Sequence, residues 1–438
     1  MIYMTKLIEL EKEKYENFQK NNSKSHFLQS YYWGEFSKEK KNLTPYYLGL
    51  VDDNEKILGT CLLLEKKLPF SYSYFYSPRG FVIDYSNDEL IRDMTNKVID
   101  FIKTKKSIFL KIDPDIVRKA YNYNDEEKVL DLDPDKVFKT LTSIGFKHLG
   151  FTKNFETMQP RYTFRIDMKN QDLDEIYEHF SKTTKQRIKK AIKLGTDVRI
   201  GDINDIDIFY ELMMLTENRK DFVSYDKDYY KKQYEILSRN DMAKLFLGSI
   251  NTTKIISNLN EEIKSLEEQK KEIGEATGKN AKNKLKEIEN NIERINKEVE
   301  KYKEAKEKYG EIITLNAHML ITYDKKSWVL YAGNHNILTE SYANYNTYYE
   351  HIKYAYENGI KVYDQFGTIG DLSKDNPRLG LHEFKKKFGG DYVEFLGEFD
   401  YITNHFMYFV FTKLVPLYRK LIRNRSKKEI SNEVKRYK

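Results

Sequence analysis

Short runs rich in aromatic and aliphatic residues, separated by polar clusters, dominate the first part of the chain. Residues 46–51 (YYLGLV), 57–65 (ILGTCLLLE) and 72–76 (YSYFY) predict strands, with the DDNEK cluster as a turn between the first two. Leu90, Ile91, Met94, Val98, Ile99 and Ile102 recur at helical spacing and predict a helix over 90–104 that feeds a buried strand at 107–112. A second set follows. A strand at 164–168 and a helix over 173–194 precede helices at 206–217 and 229–238 and strands at 243–250, 312–323 and 327–332. A helix over 343–358 then stops at Gly359, before a strand at 361–366. Hairpin, helix and strand succeed one another in both sets, which predicts a mixed α/β class built from a duplicated unit.

One segment interrupts the second set. Ile256, Leu259, Ile263, Leu266 and Ile273, with Lys270 in the intervening seam position, then Leu285, Ile288, Ile292, Ile295, Val299 and Tyr302, recur in alternating steps of three and four. Between the two series, Gly274-Glu275-Ala276-Thr277-Gly278 reads as a helix stop and turn. The pattern predicts an antiparallel two-helix coiled coil over 251–310, its seam closed on itself. The 13 Glu and 14 Lys+Arg between Thr252 and Gly310 nearly cancel, so this arm is no general attractor of polyanions.

Composition narrows the classes. A chain of 438 residues with 40% hydrophobic positions has material for two or three packed domains. A single cysteine excludes an intramolecular disulfide and any zinc site of several cysteines. The N-terminus lacks the apolar core of a secretory signal, and no run approaches the roughly 18 apolar residues of a spanning helix, so a cytoplasmic protein is expected. Net charge is +7, and residues 419–438, with nine basic and two acidic side chains, carry that same excess. Such a tail suits phosphate, in nucleic acid or on an anionic membrane. No phosphate loop, dinucleotide fingerprint, HExxH or GxSxG motif is present, and the eight histidines lack metal-ligand spacing. Cys61, inside an apolar run, reads as core.

The positive signals are loops beside strands. Tyr76-Ser77-Pro78-Arg79-Gly80 and Met158-Gln159-Pro160-Arg161 each fix an arginine in a turn. Residues 181–196 (SKTTKQRIKKAIKLGT) hold six basic residues and no acid. On a helix, Lys182, Lys185 and Lys189 share one side, Arg187, Lys190 and Lys193 a neighbouring one, and Ile188 and Ile192 face inward. That arrangement favours a phosphate-bearing partner.

Residues 363–400 read YDQFGTIGDLSKDNPRLGLHEFKKKFGGDYVEFLGEFD. With its Phe-Lys pair followed by Phe-Gly and its closing VEFLGEFD, this stretch resembles the FemABX family of tRNA-dependent peptidyltransferases. Further landmarks sit in family order: Gln29-Ser30 with Trp33, Pro78-Arg79-Gly80, Gln159-Pro160-Arg161, the basic helix, and Tyr331-Ala332-Gly333. The resemblance covers residues 5–420. It implies an α/β (α+β) fold of two tandem GNAT-like (acyl-CoA N-acyltransferase-like) domains with an inserted antiparallel coiled-coil arm. The expected division is 1–150, then 151–250 with 311–404, the arm at 251–310, and a basic tail at 405–438. No Arg/Gln-x-x-Gly-x-Gly/Ala loop is present, in keeping with a GNAT-like fold without its coenzyme A site, and no cofactor or metal is expected.

The activity implied by the resemblance is transfer of glycine, alanine or serine from aminoacyl-tRNA to the stem-peptide amino group of a peptidoglycan precursor. The acceptor is lipid II or UDP-MurNAc-pentapeptide, met at the inner face of the membrane. Carried over by motif, Lys385 and Phe384 lie at the transfer site and Asp113 is a candidate base, with His382 a second one by proximity in sequence. Tyr331, Lys38, Tyr225 and Arg79 face the precursor. Tyr225 stands where some members carry an arginine. Lys182, Lys185, Arg187 and Lys189 are the expected tRNA contacts. Two other classes remain open at this level: a non-catalytic tRNA- or RNA-binding protein using the basic helix and tail, and a coiled-coil interaction protein using the arm.

Overall fold

A computed structural model describes residues 5–220, 224–274 and 278–417. These fall into two units: residues 5–163 with 367–379 and 393–417, and residues 164–366 with 380–392.

The first unit is built on a seven-stranded sheet. Its strands lie side by side in the order Lys6–Glu9, Thr44–Val51, Ile57–Lys67, Ser73–Ser77, Ser107–Ile112, Phe399–Ile402 and Phe146–His148. Neighbours run antiparallel, with Leu48 opposite Cys61 for example, until Ser73–Ser77 meets Ser107–Ile112 in parallel. That parallel pair needs a crossover, and helix Asp88–Lys103 supplies it. Asn87 caps this helix by accepting from the Leu90 N–H. Its apolar stripe, Ile91, Met94, Val98, Ile99 and Ile102, is buried against Leu48, Leu63, Phe75 and Leu110 of the sheet. Cys61 is buried in the same core, which pushes its thiol pKa up.

The expected division at 150 and 404 is corrected by these pairings. Strand Phe399–Ile402 binds antiparallel to Ser107–Ile112, so residues 393–404 belong to the first unit, as do 151–163 and 367–379. Phe399 is fully buried against Phe138 and Phe146. A pairing across almost 300 residues leaves no local periodicity by which the sequence could announce it.

In the second unit six strands of an eight-stranded sheet lie side by side in the order Tyr162–Asp167, Val362–Asp364, Lys326–Asn334, Ile312–Tyr323, Ala243–Asn251 and Thr196–Gly201. Its parallel pair is Lys326–Asn334 with Val362–Asp364, and its crossover is helix Ala343–Glu357. The helix expected over 173–194 is two helices, Leu173–Glu178 and Lys182–Leu194. Each has its own start signal: Asp172 and Glu175 form a capping box, and the Ser181 hydroxyl accepts from the Thr184 N–H. Ile192, expected inward, is 52% exposed, because the second helix is covered along Thr184, Ile188, Ala191 and Leu194. The strand expected over 361–366 stops at Asp364, as Phe366 takes a positive φ of 53°.

Helices Thr252–Ile273 and Lys279–Tyr309 follow directly on strand Ala243–Asn251 and lead back to Ile312–Tyr323. Ile256, Ile263 and Leu266 line their contact, and Lys270 reaches Glu289 at 2.7 Å. The seam is not closed on itself at its base. Ile255, Leu259, Ile295, Val299 and Tyr302 join one apolar cluster with Leu194, Ile250, Leu315 and Ala343 of the second unit.

Helix His405–Phe409 and a π turn at Val410–Leu414 leave Phe406, Phe409, Leu414 and Leu417 exposed. No described helix is long and apolar enough to cross a membrane. The basic segment 419–438 lies outside the described residues.

Candidate functional site

In the second unit the Phe-Lys pair sits on helix Leu379–Lys386. Phe384 is half-buried, with the rings of Tyr345, Tyr348 and Phe388 around it at 5.0–5.3 Å. The next residue turns inward. Lys385 is 6% exposed, and its ammonium donates to the Gln365 carbonyl at 2.7 Å and to the Phe366 carbonyl. The Gln365 side-chain amide donates back to the Lys385 carbonyl at 3.1 Å, so the helix and the end of strand Val362–Asp364 hold each other. Burial lowers the Lys385 pKa to about 7, and nearby Asp364 opposes only part of that shift. Asp364 is itself anchored by Arg165 at 2.8 Å. Lys386 and Lys387 remain half-buried at the surface. The chain leaves through Gly389 at φ +72°, where a Cβ would lie 2.6 Å from the His179 carbonyl oxygen. His382 is packed between the rings of Phe164 and Tyr392.

Tyr331 lies on strand Lys326–Asn334 and meets Tyr230 edge-on at 5.1 Å, with Phe209 behind at 6.4 Å. Burial pushes its hydroxyl pKa up. Tyr225 is half exposed and stacks on Tyr229 at 3.8 Å. The structure thus gathers Tyr225 and Tyr331 into one aromatic cluster. Its neighbours Phe222 and Val223 lie outside the described residues.

On the basic helix the expected tRNA contacts divide. Lys182 and Lys189 are exposed. Lys185 is drawn aside to Glu178 at 2.7 Å. The Arg187 guanidinium lies over the rings of Tyr342 and Tyr345 at 5.3 and 5.0 Å and donates to the Tyr345 hydroxyl. Tyr345 in turn touches Phe384, which joins Arg187 to the surroundings of Lys385.

In the first unit, Arg79 and Asp113 come together where the parallel strands end. Arg79 is buried and has a φ of 60°, a left-handed conformation costly for a side chain this large. Gln29 holds that turn, donating to the Pro78 carbonyl at 2.6 Å and to Ser77 Oγ at 3.1 Å while accepting from the Leu62 N–H. Asp113 accepts from the Arg79 N–H at 2.8 Å and from the Tyr76 hydroxyl at 3.0 Å. The Arg79 guanidinium stays 3.9 Å from Asp113, donates to the Pro160 carbonyl and lies over the Phe395 ring at 4.7 Å. Burial wins over these partners and raises the Asp113 pKa to about 7.

Lys38 is exposed on helix Tyr31–Lys41. The cation that this helix draws in is Lys41, 4.4 Å above the Trp33 ring, its pKa lowered by burial to about 8. Sequence reasoning passed over Lys41, and named Gln29 as a landmark without its hydrogen bonds to the Pro78 turn. Trp33, three and eight residues from Ser30 and Lys41, was the available signal for the first. Among the described residues no three His, Cys, Asp or Glu side chains are grouped to hold a metal ion.

The model of the FemAB family matches residues 10–415. The chain belongs to the FemAB family. Two relatives, each named lipid II:glycine glycyltransferase, come from Staphylococcus aureus strains MRSA252 and Mu50. Each is 31% identical over 435 residues, covering 97% of this chain and 98% of the relative. Among solved structures, that of FemX superposes with a TM-score of 0.74 at 29% identity, covering 92% of this chain and 98% of that one.

Proposed function

We propose that this FemAB protein transfers an amino acid, glycine in the first instance, from aminoacyl-tRNA to the stem-peptide amino group of lipid II. The observation that carries the reading is the end-to-end likeness to the lipid II:glycine glycyltransferases, with a buried lysine at the family's Phe-Lys position. The two units are read as tandem GNAT-like domains, and no cofactor enters the reaction.

The chemistry is aminolysis of an activated ester. The amine attacks the ester carbonyl, a C–N bond forms, the C–O bond to the terminal ribose breaks, and the amine proton ends on the departing hydroxyl. Holding both substrates in attack geometry supplies up to roughly 7–11 kcal/mol. Lys385, with its pKa near 7, is charged for part of the time at neutral pH and stabilises the oxyanion or the adjoining phosphate of the tRNA end. Asp113, also near 7, can hold or release a proton at the same pH. Lys182, Lys189 and Arg187 are read as contacts to tRNA phosphates, and Tyr331, Tyr225, Arg79 and Lys38 as precursor contacts. Exposed Phe406, Phe409, Leu414 and Leu417, with the basic tail behind them, suit peripheral binding at the inner face of the membrane, where lipid II is presented.

The test is mass analysis of lipid II after incubation with the protein and charged tRNA. A gain of one glycine residue is expected. Lipid II unchanged with every charged tRNA offered would leave an RNA-binding protein as the better reading.

A further inference from the structure

Two segments of the first unit meet where its parallel strands start. The turn between Ile57–Lys67 and Ser73–Ser77 lies beside residues 105–107: the Ser73 hydroxyl donates to the Lys105 carbonyl at 3.0 Å and the Ser73 N–H to the Lys106 carbonyl at 3.3 Å. Strand Phe399–Ile402 ends at the same place, where the Thr403 hydroxyl donates to the Ser107 carbonyl at 2.6 Å. From there helix His405–Phe409 and its π turn cross the strand starts. Tyr408 packs on Phe109 at 5.4 Å, and Phe411 on Phe109 and Tyr74 at 6.0 and 5.4 Å.

With one side packed inward, a surface helix normally turns a polar side to water. Helix Asp88–Lys103, on the other face of this sheet, does so with Glu89, Arg92, Asn96 and Asp100. The C-terminal helix does not. Phe406 is 73% exposed and Phe409 53%, and Leu414 and Leu417 are exposed beyond them. The turn shows the same exposure. Phe70 is 88% exposed, and both Phe70 and Ser71 have a φ of 61°. Asn-Gly fills a tight hairpin turn of two left-handed residues without strain. A phenylalanine there is strained, and at such exposure packing offsets little of it.

Residues 66–72, 103–107 and 403–417 hold six lysines and no Asp or Glu. Lys103 has Asp100 at 3.9 Å, and Lys105 lies over the rings of Tyr46 and Phe101 at 5.3 and 5.7 Å. The chain continues past Leu417 into residues 419–438, with their nine basic and two acidic side chains. Exposed rings and leucines among cations match an anionic lipid leaflet: the apolar groups enter the headgroup region while the ammonium groups meet lipid phosphates. A second copy of the chain would set lysine against lysine. A nucleic acid would take the lysines and leave Leu414 and Leu417 in water.

We propose that Phe70 at the turn, with Phe406, Phe409 and Leu417 on the helix, forms a two-point docking face for an anionic bilayer. The inference rests on the membrane placement read above for the C-terminal helix, and adds a second contact and the orientation that the two fix. The face lies at the starts of Ser73–Ser77 and Ser107–Ile112, whereas Arg79 and Asp113 lie just past their ends. Six residues of strand set these about 17 Å farther from the leaflet. An extended peptide of about five residues spans that distance, as an acceptor amine carried on a stem peptide requires.

The full-length protein is sedimented with vesicles of phosphatidylcholine alone or mixed with phosphatidylglycerol. Binding to the mixed vesicles, weakened by salt, is expected. Phe70→Asn, which suits the left-handed turn, should lower the partition coefficient by about tenfold, as should Phe406→Ser combined with Phe409→Ser. In a second measurement, Phe70→Trp should shift its emission to the blue on mixed vesicles and be quenched by brominated lipid. Unchanged binding in Phe70→Asn, with no quenching in Phe70→Trp, would overturn the two-point face and leave the helix as a single contact. Absence of vesicle binding, with self-association or tRNA binding lost in Phe70→Asn, would overturn it in favour of a second copy or of RNA. Vesicle binding that depends on Phe70 in a protein that transfers no amino acid would uphold the docking face and remove the transfer reading.

Discussion

Each unit contains the same passage: a strand, a crossover helix, and a second strand parallel to the first. In the first unit, Ser73–Ser77 and Ser107–Ile112 stay paired to their ends, with Ser77 opposite Ile112. The buried charge just beyond is an acid, Asp113, under a backbone N–H, a tyrosine hydroxyl and a distant guanidinium. In the second unit, pairing stops after three residues and the strands diverge. The buried charge there is a base, Lys385, held by the carbonyls that the divergence exposes. One topology therefore leaves either N–H groups or C=O groups to be satisfied at the strand ends, and the sign of the buried side chain follows. Burial moves the two groups in opposite directions to the same place, about 7, so both can exchange protons near neutral pH.

That comparison can be broken from the acid side first. Arg79→Ala removes the guanidinium that faces Asp113 and leaves the carboxylate buried with its hydrogen bonds from Tyr76 and the backbone N–H. The loss is expected to be about 3 kcal/mol at pH 8 by urea unfolding, and smaller at pH 6, where the carboxyl takes up a proton. Equal losses at both pH values would mean that Arg79 acts by packing on Phe395 and not by charge.

From the basic side, Lys385→Met should lower transfer by about a hundredfold or more, with the circular dichroism spectrum retained. Lys386→Met and Lys387→Met, at half-buried surface positions, should change the rate by less than about tenfold. Similar small effects at all three would reduce Lys385 to a structural tie between helix Leu379–Lys386 and Gln365.

The opposite shifts also have opposite signatures in stability. Asp113 binds its proton more tightly when folded, so it favours the folded state below its unfolded pKa of 3.8 and progressively less as pH rises to about 7. Lys385 binds its proton less tightly when folded, so its contribution is least favourable below about 7 and improves as pH rises towards 10.5. Asp113→Asn should flatten the stability profile between pH 4 and 7, and Lys385→Met between pH 7 and 10.5. A profile unchanged by either substitution would mean that the group titrates alike in folded and unfolded chains.

The smallest effect concerns the helical pair. Replacing 267–287 by a short Gly/Ser turn removes only the part outside the shared cluster and should shift Tm by no more than about 2–4 °C. Replacing 252–308 would uncover Leu194, Ile250, Leu315 and Ala343, and should give a markedly less stable or insoluble protein.

The sequence alone determined what repeats over a few residues. Alternating apolar runs located strands such as 57–65 and 312–323, and steps of three and four marked both long helices. Their driving terms, side-chain periodicity and burial of one face, act within a single element. The motif around Phe384-Lys385 was also legible, because a family landmark is a local string. Tertiary structure decided everything that depends on distant partners. It placed Phe399–Ile402 beside Ser107–Ile112, opened the seam of the long helices onto the core, and chose Lys41 over Lys38 for burial. It also brought Asn316, His318, Asn334 and Asn344 together. No window of the sequence joins those four, since their proximity comes from strand register, a helix packed across the sheet and the end of one short parallel pairing.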